Sequence, residues 1–149
     1  MFKTLQNKHV DEIYNLQISN AADFGNNIWS KEEICNLMKR TGFFSIIFLK
    51  NRRIIAFSFF LEVENYLDLY SIFVSPKYRK CGIATNLINI AVEHCKSKSL
   101  TKIILEVSEK NVKALNFYKR KKFTSFGIRE KYYKSKQNYY NAILMEMKI

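Results

Sequence analysis

The chain has 149 residues, the length of one domain, so we expect a single domain over residues 1–149. Hydrophobic residues make up 48% and aromatic residues 15% of the chain, a composition that excludes a disordered protein and supports a packed core. The net charge of +12 is spread along the chain, so it indicates either a solvated basic surface or an anionic partner such as a polyphosphate, a lipid or a nucleic acid.

The N-terminus has neither the apolar stretch nor the cleavage site of a signal peptide, and no apolar run is long enough for a membrane helix. The three cysteines match no zinc-ligand spacing, and their odd number argues against a disulfide framework. We therefore expect a cytoplasmic protein with reduced thiols, no membrane association and no metal.

The first half of the chain is predicted to hold two helices followed by a hairpin. One helix is expected over about residues 9–22, from apolar residues at helical spacing. A second helix begins at Ser30, because Ser30 and Glu33 have the spacing of a capping box. Two runs rich in Phe and Ile, 43–49 and 54–63, are typical of a buried hairpin.

Strands and helices alternate in the second half of the chain. Apolar residues at helical spacing predict a helix over 82–97, and the strands on either side of it, 67–74 and 102–107, complete a strand–helix–strand crossover. A further helix and two closing strands are predicted over 111–121, 123–131 and 141–148. This order predicts a mixed α/β sheet with helices on its faces.

The loop before the helix at 82–97 is a candidate anion site. Arg79 and Lys80 bring positive charge to a helix N-terminus, where free N–H groups and the helix dipole attract anions. Gly82 lets the backbone approach an anion closely, and Ala84 leaves the first helical turn uncrowded. These residue types predict a pyrophosphate site; the alternative is an ordinary strand-to-helix loop.

Two motifs resemble those of a known family. Residues 79–84, Arg-Lys-Cys-Gly-Ile-Ala, resemble the acyl-CoA-binding loop of the GNAT acetyltransferases, whose pattern is Arg/Gln-x-x-Gly-x-Gly/Ala. Residues 111–118, Asn-Val-Lys-Ala-Leu-Asn-Phe-Tyr, resemble the second signature of that family, Asn-x-x-Ala-x-x-x-Tyr. Six further stretches are similar to the RimI-like group, the bacterial ribosomal-protein alanine N-acetyltransferases. They are Trp29-Ser30, Ile72-Phe73-Val74, Leu105-Glu106-Val107, Phe117-Tyr118, Arg129-x-x-Tyr132-Tyr133 and Ala142-Ile143-Leu144-Met145.

The resemblance implies the GNAT fold: a mixed, mostly antiparallel sheet of about seven strands with helices on both faces and central strands that splay apart. It also implies acetyl-CoA as co-substrate, with Val74 offering its backbone N–H to the thioester oxygen. The residues that the resemblance assigns to the cofactor are Ile72, Val74, Arg79, Lys80, Cys81, Gly82, Ile83, Ala84, Thr85, Asn111 and Tyr118.

The catalytic residues implied by the resemblance are Glu106 and Tyr118. Glu106 interrupts an otherwise apolar strand, where a carboxylate loses hydration and becomes a stronger base, and the resemblance makes it the general base. The alternative is a glutamate paired with a lysine. Tyr118 matches the family tyrosine that protonates the departing CoA thiolate; without the motif, a phenol on a helix is more typical of core packing.

The implied acceptor is the N-terminal amine of a protein, a ribosomal protein that begins with Ala. An α-amine has a pKa of about 7.7–8.0 and a lysine about 10.4, so the free-base fraction at neutral pH favours the α-amine roughly several hundred-fold. Trp29, Tyr132 and Tyr133 are expected to frame the peptide N-terminus, unless they pack at an edge. A small-molecule amine or a protein lysine as acceptor, and a non-catalytic CoA or nucleic-acid binder, are alternatives. We expect a monomer or weak dimer that meets nucleic acid only through the ribosome.

Two departures from the family pattern bear on the structure. The family has Gly-Phe after the tyrosine helix, where this chain has Lys122 and Phe123, so the motif does not predict how that helix ends. The loop over 134–140 lacks the family's glycine, so the rim of the substrate site is expected to differ.

Overall fold

The structure is a computed structural model and describes residues 1–135 and 138–149. The strands of the described residues are Phe2–Lys3 (β1), Phe43–Lys50 (β2), Arg53–Val63 (β3), Tyr66–Val74 (β4), Lys102–Ser108 (β5), Thr124–Ser135 (β6) and Asn138–Lys148 (β7). The α helices are Val10–Ser19 (α1), Ala21–Phe24 (α2), Lys31–Met38 (α3), Ile83–Ser97 (α4) and Val112–Arg120 (α5). The strands form one sheet in the order β1-β2-β3-β4-β5-β7-β6, in which β4 and β5 are parallel and the pairs β1–β2, β2–β3, β5–β7 and β6–β7 are antiparallel.

The predicted fold class and the predicted order of elements are confirmed, but two boundaries differ. The helix expected over 9–22 is two helices, because Asn20 leaves the helical conformation (φ −128°) and its side-chain amide donates to the carbonyl of Leu16 at 2.9 Å. The closing strands β6 and β7 are longer than predicted, since both continue into the polar, tyrosine-rich stretch that follows residue 131. Lys136 and Gln137, in the loop expected to shape the substrate rim, lie outside the described residues.

By its internal contacts the chain divides into two compact units, residues 1–62 with 70–91 and residues 63–69 with 92–149. The first unit has an aromatic core. Phe57 and Phe59 of β3 lie 4.9 Å apart between ring centroids, and Phe24 lies 4.9 Å from Phe73. Burying each such ring contributes roughly 1.5–3 kcal/mol, so this cluster is a main source of stability for the unit.

The second unit is organised around β5. Its pairing with β4 runs from Tyr66↔Lys102 to Leu69↔Leu105 and ends before β5 itself ends at Ser108. β7 pairs with β5 along its whole length. Alternate side chains of β5, those of Ile103, Leu105 and Val107, are buried, so the side chains between them lie on the opposite, half-buried face of the sheet.

Candidate active site

The predicted anion loop has the backbone shape that a phosphate site needs. Lys80 (φ 59°) and Gly82 (φ 81°) are left-handed, and Asn86 N–H donates to the carbonyl of Gly82 at 3.0 Å as α4 begins. The first N–H groups of a helix have no intrahelical acceptor. A Cβ built on Gly82 would meet nothing within 4 Å, so this edge of the loop is open. These features fit the diphosphate that the resemblance implies.

Arg79 is engaged within its own unit. Its Nε donates to the carbonyl of Val74 at 2.8 Å, its Nη2 lies 3.1 Å from Oδ2 of Asp23, and its guanidinium carbon lies 5.6 Å from the ring centroid of Phe73. The side chain therefore ties α2 to the end of β4. Its expected phosphate contact stays a prediction, as does that of half-buried Ile72.

The remaining loop residues differ in exposure. Cys81 is exposed, and its Sγ donates to the carbonyl of Arg79 at 3.4 Å. Ile83 is buried, while Ala84 and Thr85 are half-buried. The cofactor contacts expected of these four residues rest on their backbone, and they stay predictions.

Trp29, the predicted acceptor-side tryptophan, belongs to the first unit, and both its backbone N–H and its backbone carbonyl are hydrogen-bonded to one side chain. Its N–H donates to Oε1 of Gln17 at 2.8 Å, and its carbonyl accepts from Nε2 of the same residue at 3.1 Å. Gln17 is fully buried. The indole stacks on Tyr70, with centroids 6.1 Å apart, and meets Phe59 edge-on. The expected Trp29 role in acceptor binding remains a prediction, but the ring is half-buried and fixed in place.

Glu106 of the second unit lies on the half-buried face of β5. Its Oε1 is 2.8 Å from Nη2 of Arg129 on β6, and its side chain keeps 26% of its exposure. Among the described residues, Glu106 thus has the ion pair of the structural alternative, with an arginine in place of the expected lysine. A second carboxylate, Asp68 of β4, pairs in register with Ile104, which places it on the same face as Glu106.

The sequence offers Asp68 as a candidate acidic contact for the tail of a basic substrate, but not as a residue of the chemistry. Burial, and then the charge of Glu106, raise its pKa to about 6, while Arg129 acts in the opposite direction. Perturbed carboxylates of this kind cluster at functional sites. The available signal was Asp68 as an acidic residue in the apolar strand 67–74, and its neighbour across the sheet was not visible in the sequence.

Tyr118 lies on α5, whose first turn is capped by Asn111: the side-chain Oδ1 accepts from Ala114 N–H at 3.2 Å. Tyr118 is 6% exposed, and burial, with a smaller effect of Tyr133, raises its pKa above the ordinary value. The phenol therefore keeps its proton throughout the neutral range. That state is the one required of a proton donor.

The end of α5 holds Tyr118 in place. Phe123 N–H donates to the carbonyl of Tyr118, and Lys122 N–H to that of Lys119, each at 3.0 Å. The two bonds form a Schellman motif, whose left-handed residue is Lys122 (φ 68°), where the family has glycine. The accompanying apolar contact is the edge-on pair of Tyr118 and Phe123, with centroids 5.5 Å apart.

The two predicted acceptor-side tyrosines, Tyr132 and Tyr133, lie at an irregularity in the pairing of β6 with β7. The register of β6 on β7 shifts between Arg129 and Tyr133, and Lys131 has a φ of 52°. Asn141 supports the shift by accepting from Lys131 N–H at 3.0 Å through Oδ1. The rings of Tyr132 and Tyr133 lie 5.1 Å apart, and the Arg129 guanidinium lies 4.9 Å from the Tyr132 centroid.

The acidic pair has a neutral aromatic neighbour. Burial, then the charges of Glu106 and Tyr132, raise the pKa of Tyr133 to about 12.

Two findings concern the described residues as a whole: no group of three or more His, Cys, Asp or Glu is placed to hold a metal ion, and no helix has the length and apolarity to cross a membrane.

The expected site residues fall into two sets. The first unit holds Trp29, Ile72, Val74 and residues 79–85. The second unit holds Glu106, Asn111, Tyr118, Tyr132 and Tyr133. Within the second unit, the carboxylate of Glu106 pairs with Arg129, and its charge acts on Asp68 and Tyr133. The guanidinium of Arg129 in turn lies over the ring of Tyr132.

Known proteins share three features with this chain. These are a basic, glycine-containing turn before a helix, a glutamate on a half-buried sheet face and a buried tyrosine on a capped helix. The sequence model of the Acetyltransferase (GNAT) family matches residues 10–123. The chain belongs to this family. The members of this family are acetyltransferases.

Curated GNAT relatives include the [ribosomal protein bS18]-alanine N-acetyltransferase of Salmonella typhimurium, 27% identical over 97 residues, or 65% of this chain and 66% of that enzyme. An uncharacterized N-acetyltransferase of Methanocaldococcus jannaschii is 38% identical over 60 residues, or 40% of this chain and 26% of that protein. The chain thus spans just under two thirds of the length of the Salmonella enzyme and about a quarter of the length of the Methanocaldococcus protein.

Solved GNAT structures share the fold. The crystal structure of the ribosomal-protein-S18-alanine N-acetyltransferase of Escherichia coli has a TM-score of 0.87 to this chain at 20% identity, covering 100% of this chain and 93% of the other. The predicted resemblance to the RimI-like group is confirmed by the Salmonella relative, and the Escherichia coli structure confirms the fold.

Proposed function

We propose that this GNAT enzyme acetylates the N-terminal α-amino group of a protein, a ribosomal protein that begins with Ala. The observation that carries the proposal is the half-buried Glu106, with a second carboxylate on the same face and the neutral Tyr133 as a neighbour. An acidic face of this kind attracts an ammonium group. The relatives named for ribosomal-protein alanine acetylation support the choice of acceptor.

In this proposal residues 1–149 act as one catalytic domain, and the loop 79–85 binds the diphosphate of acetyl-CoA. Lys80 supplies charge, and the first N–H groups of α4 supply hydrogen-bond donors. The open edge at Gly82 leaves room for the phosphate oxygens. Asn111 and the backbone of Ile72 and Val74 are proposed to contact the pantetheine arm.

Acetyl transfer in this proposal uses Glu106 as base and Tyr118 as acid. The base accepts a proton from the attacking amine, and the phenol of Tyr118 donates one to the leaving thiolate. The raised pKa of Tyr118 keeps that proton in place until it is needed.

Charge and aromatic rings favour a peptide N-terminus as acceptor. Trp29, Tyr132 and Tyr133 offer rings to the backbone and first side chain of the peptide, and Tyr132 is 50% exposed. The α-amine is a better nucleophile than lysine at neutral pH, by its roughly several hundred-fold larger free-base fraction. We infer that the enzyme works in the cytoplasm as a monomer or weak dimer, and that it meets RNA only through the ribosome.

Steady-state CoA release tests the assignment of roles. We expect Glu106→Gln and Tyr118→Phe each to lower kcat with an Ala-starting peptide by about 10²-fold or more, with acetyl-CoA binding retained. Glu93→Gln and Tyr14→Phe, on the surface of other helices, are the matched controls and should keep wild-type rates. Full activity of both site variants would remove the assignment.

The same assay separates the acceptors. An Ala-starting peptide should react, and the same peptide with a blocked N-terminus should not. Reaction only with lysine side chains or small amines would favour the alternative acceptors. Failure to bind acetyl-CoA in any form of the assay would contradict the enzyme class itself.

A further inference from the structure

A basic surface of the first unit takes no part in the proposed acetyl transfer. It is formed by the turn between β2 and β3 and by the loop that follows β4, and we use the name basic surface for its four exposed cations, Lys50, Arg52, Arg53 and Lys77. All ion pairs among the described residues involve other cations. The neighbouring Glu12 is already engaged, because its Oε1 accepts from Ile54 N–H at 2.6 Å.

Two observations join the turn to the loop. The Nζ of Lys50 lies 4.9 Å from the ring centroid of Tyr78. Arg53 and Lys77 line one cavity of about 390 Å³, which Tyr78 also lines. Ser75 adds a hydroxyl to that cavity, and its apolar lining comes from Leu16, Ile54 and Ile55. The basic surface therefore surrounds a cavity with polar, apolar and aromatic walls.

Arg52 occupies a turn position at which the backbone favours glycine. The pairing of β2 with β3 reaches Lys50↔Arg53, so Asn51 and Arg52 form a two-residue turn, with φ of 50° and 63°. Positive φ at both residues is the type I′ geometry, whose preferred sequence is Asn-Gly. Asn51 satisfies that preference, but an arginine is strained in the left-handed conformation. The fold therefore does not explain the arginine, whereas an anionic ligand of its guanidinium does.

The chemistry of the basic surface fits RNA. Arg and Lys side chains bind phosphate groups, and the guanidinium fork binds two phosphate oxygens at once. An aromatic ring beside cations suits a base of a single strand, and a hydroxyl such as that of Ser75 can hydrogen-bond a ribose 2′-hydroxyl. Among the described residues, the exposed large hydrophobic side chains lie outside 50–53 and 75–78, so the surface lacks the apolar anchor of a membrane-binding segment.

We propose that the basic surface binds a segment of single-stranded RNA, with phosphates on its four cations and one nucleotide in the cavity beside Tyr78. This role goes beyond the proposed acetyl transfer, since none of these residues belongs to the proposed catalytic, cofactor or acceptor sites. For an enzyme whose proposed acceptor is a ribosomal protein, contact with RNA holds the enzyme close to that acceptor.

The salt dependence of RNA binding tests the basic surface as a whole. The probe is a short fluorescent single-stranded RNA, and its binding is followed by fluorescence anisotropy. The slope of log affinity against log salt is about −0.7 for each phosphate contact, so four cations predict a slope of about −3. The variant Arg52→Gly/Arg53→Ser/Lys77→Ser should reduce the slope to about −1 and weaken binding about 100-fold at about 0.1 M salt. A DNA strand of the same sequence should bind wild type more weakly.

Arg52→Gly separates RNA binding from folding. It should weaken RNA binding about fivefold at about 0.1 M salt, because one phosphate contact is lost. It should also raise the midpoint of unfolding in urea, because glycine relieves the strained turn. Asn51→Gly changes the same turn but keeps all four cations, so it should bind RNA as wild type does. Wild-type affinity for RNA in Arg52→Gly would overturn the inference.

A control of equal charge tests whether the position of the cations matters. Lys39→Ser/Lys98→Ser/Lys148→Ser removes three exposed cations elsewhere and should keep RNA affinity within about twofold of wild type. An equal loss in this control, equal affinity for the DNA strand, or binding of wild type to anionic phospholipid vesicles but not to RNA would overturn the inference. So would loss of acetyl-CoA binding in the variant of the basic surface, because the cations would then belong to the cofactor site.

Peptide acetylation without RNA is measured in parallel and tests the proposed function separately. The variants of the basic surface should acetylate the Ala-starting peptide at the wild-type rate. If wild type acetylates the peptide but does not bind RNA, the proposed function stands and the RNA inference fails. If wild type binds RNA through the basic surface but acetylates no peptide, the reverse holds.

Discussion

Replacing Asp68 by Asn should stabilise the fold at neutral pH, because the folded state raises the pKa of this carboxyl. The folded state raises the pKa of Asp68 from 3.8 to about 6, so between these values the folded chain holds a proton that the unfolded chain has released. The stability of wild type therefore falls as the pH rises from about 4 to about 6. Asn has no charge to desolvate and avoids this loss.

The size of the Asp68 effect follows from the shift in pKa. A rise of this size corresponds to about 3 kcal/mol at about 1.4 kcal/mol per unit for a fully buried group. Asp68 is only half-buried, so solvent screening reduces the expected gain to roughly 1–2 kcal/mol. For a chain of this length, that is a rise in Tm of roughly 2–8 °C.

Urea unfolding at several pH values measures the Asp68 effect directly. The stability difference between Asp68→Asn and wild type should be near zero at about pH 4 and reach its full value above about pH 7. Asp11→Asn, which removes an exposed carboxylate, should show no such rise. A difference that stays constant or shrinks with rising pH would refute the placement of Asp68 beside Glu106 on a half-buried face.

Two further substitutions test local features of the structure. Lys122→Gly should stabilise the chain by roughly 0.5–1 kcal/mol. Lys122 has a left-handed φ of 68°, and relief of that strain should exceed the entropy that glycine adds to the unfolded chain. A lower midpoint of unfolding in urea would contradict the Schellman geometry. Ser58→Ala should stabilise it by about 1 kcal/mol, because the Ser58 hydroxyl is buried without a hydrogen-bond partner among the described residues; a loss of stability there would mean that the hydroxyl is satisfied, for example by water.

Local patterns predicted much of the fold. The apolar spacing along 82–97 predicted α4 to within a residue, and the Ser30–Glu33 capping box predicted the start of α3. Both features depend on residues a few positions apart. The break at Asn20 was missed, because a single side chain that bonds the backbone has no periodic signal.

Contacts between distant segments were beyond the sequence. Asp68 and Glu106 are neighbours only through the register of β4 on β5, and Arg129 reaches Glu106 across β7. The irregularity at Lys131 depends on Asn141 of the facing strand. The motifs identified the site's residue types, while the strand pairing determines which of them touch.

Acetylation of one peptide by the purified protein tests the central claim most directly. The peptide begins with Ala and carries one internal lysine, and mass spectrometry of its fragments locates the acetyl group after incubation with acetyl-CoA. We expect the acetyl group on the N-terminal nitrogen of Ala, with the lysine unmodified. Acetylation of the lysine alone would contradict the account, and so would a peptide that stays unmodified while acetyl-CoA is consumed with a small amine.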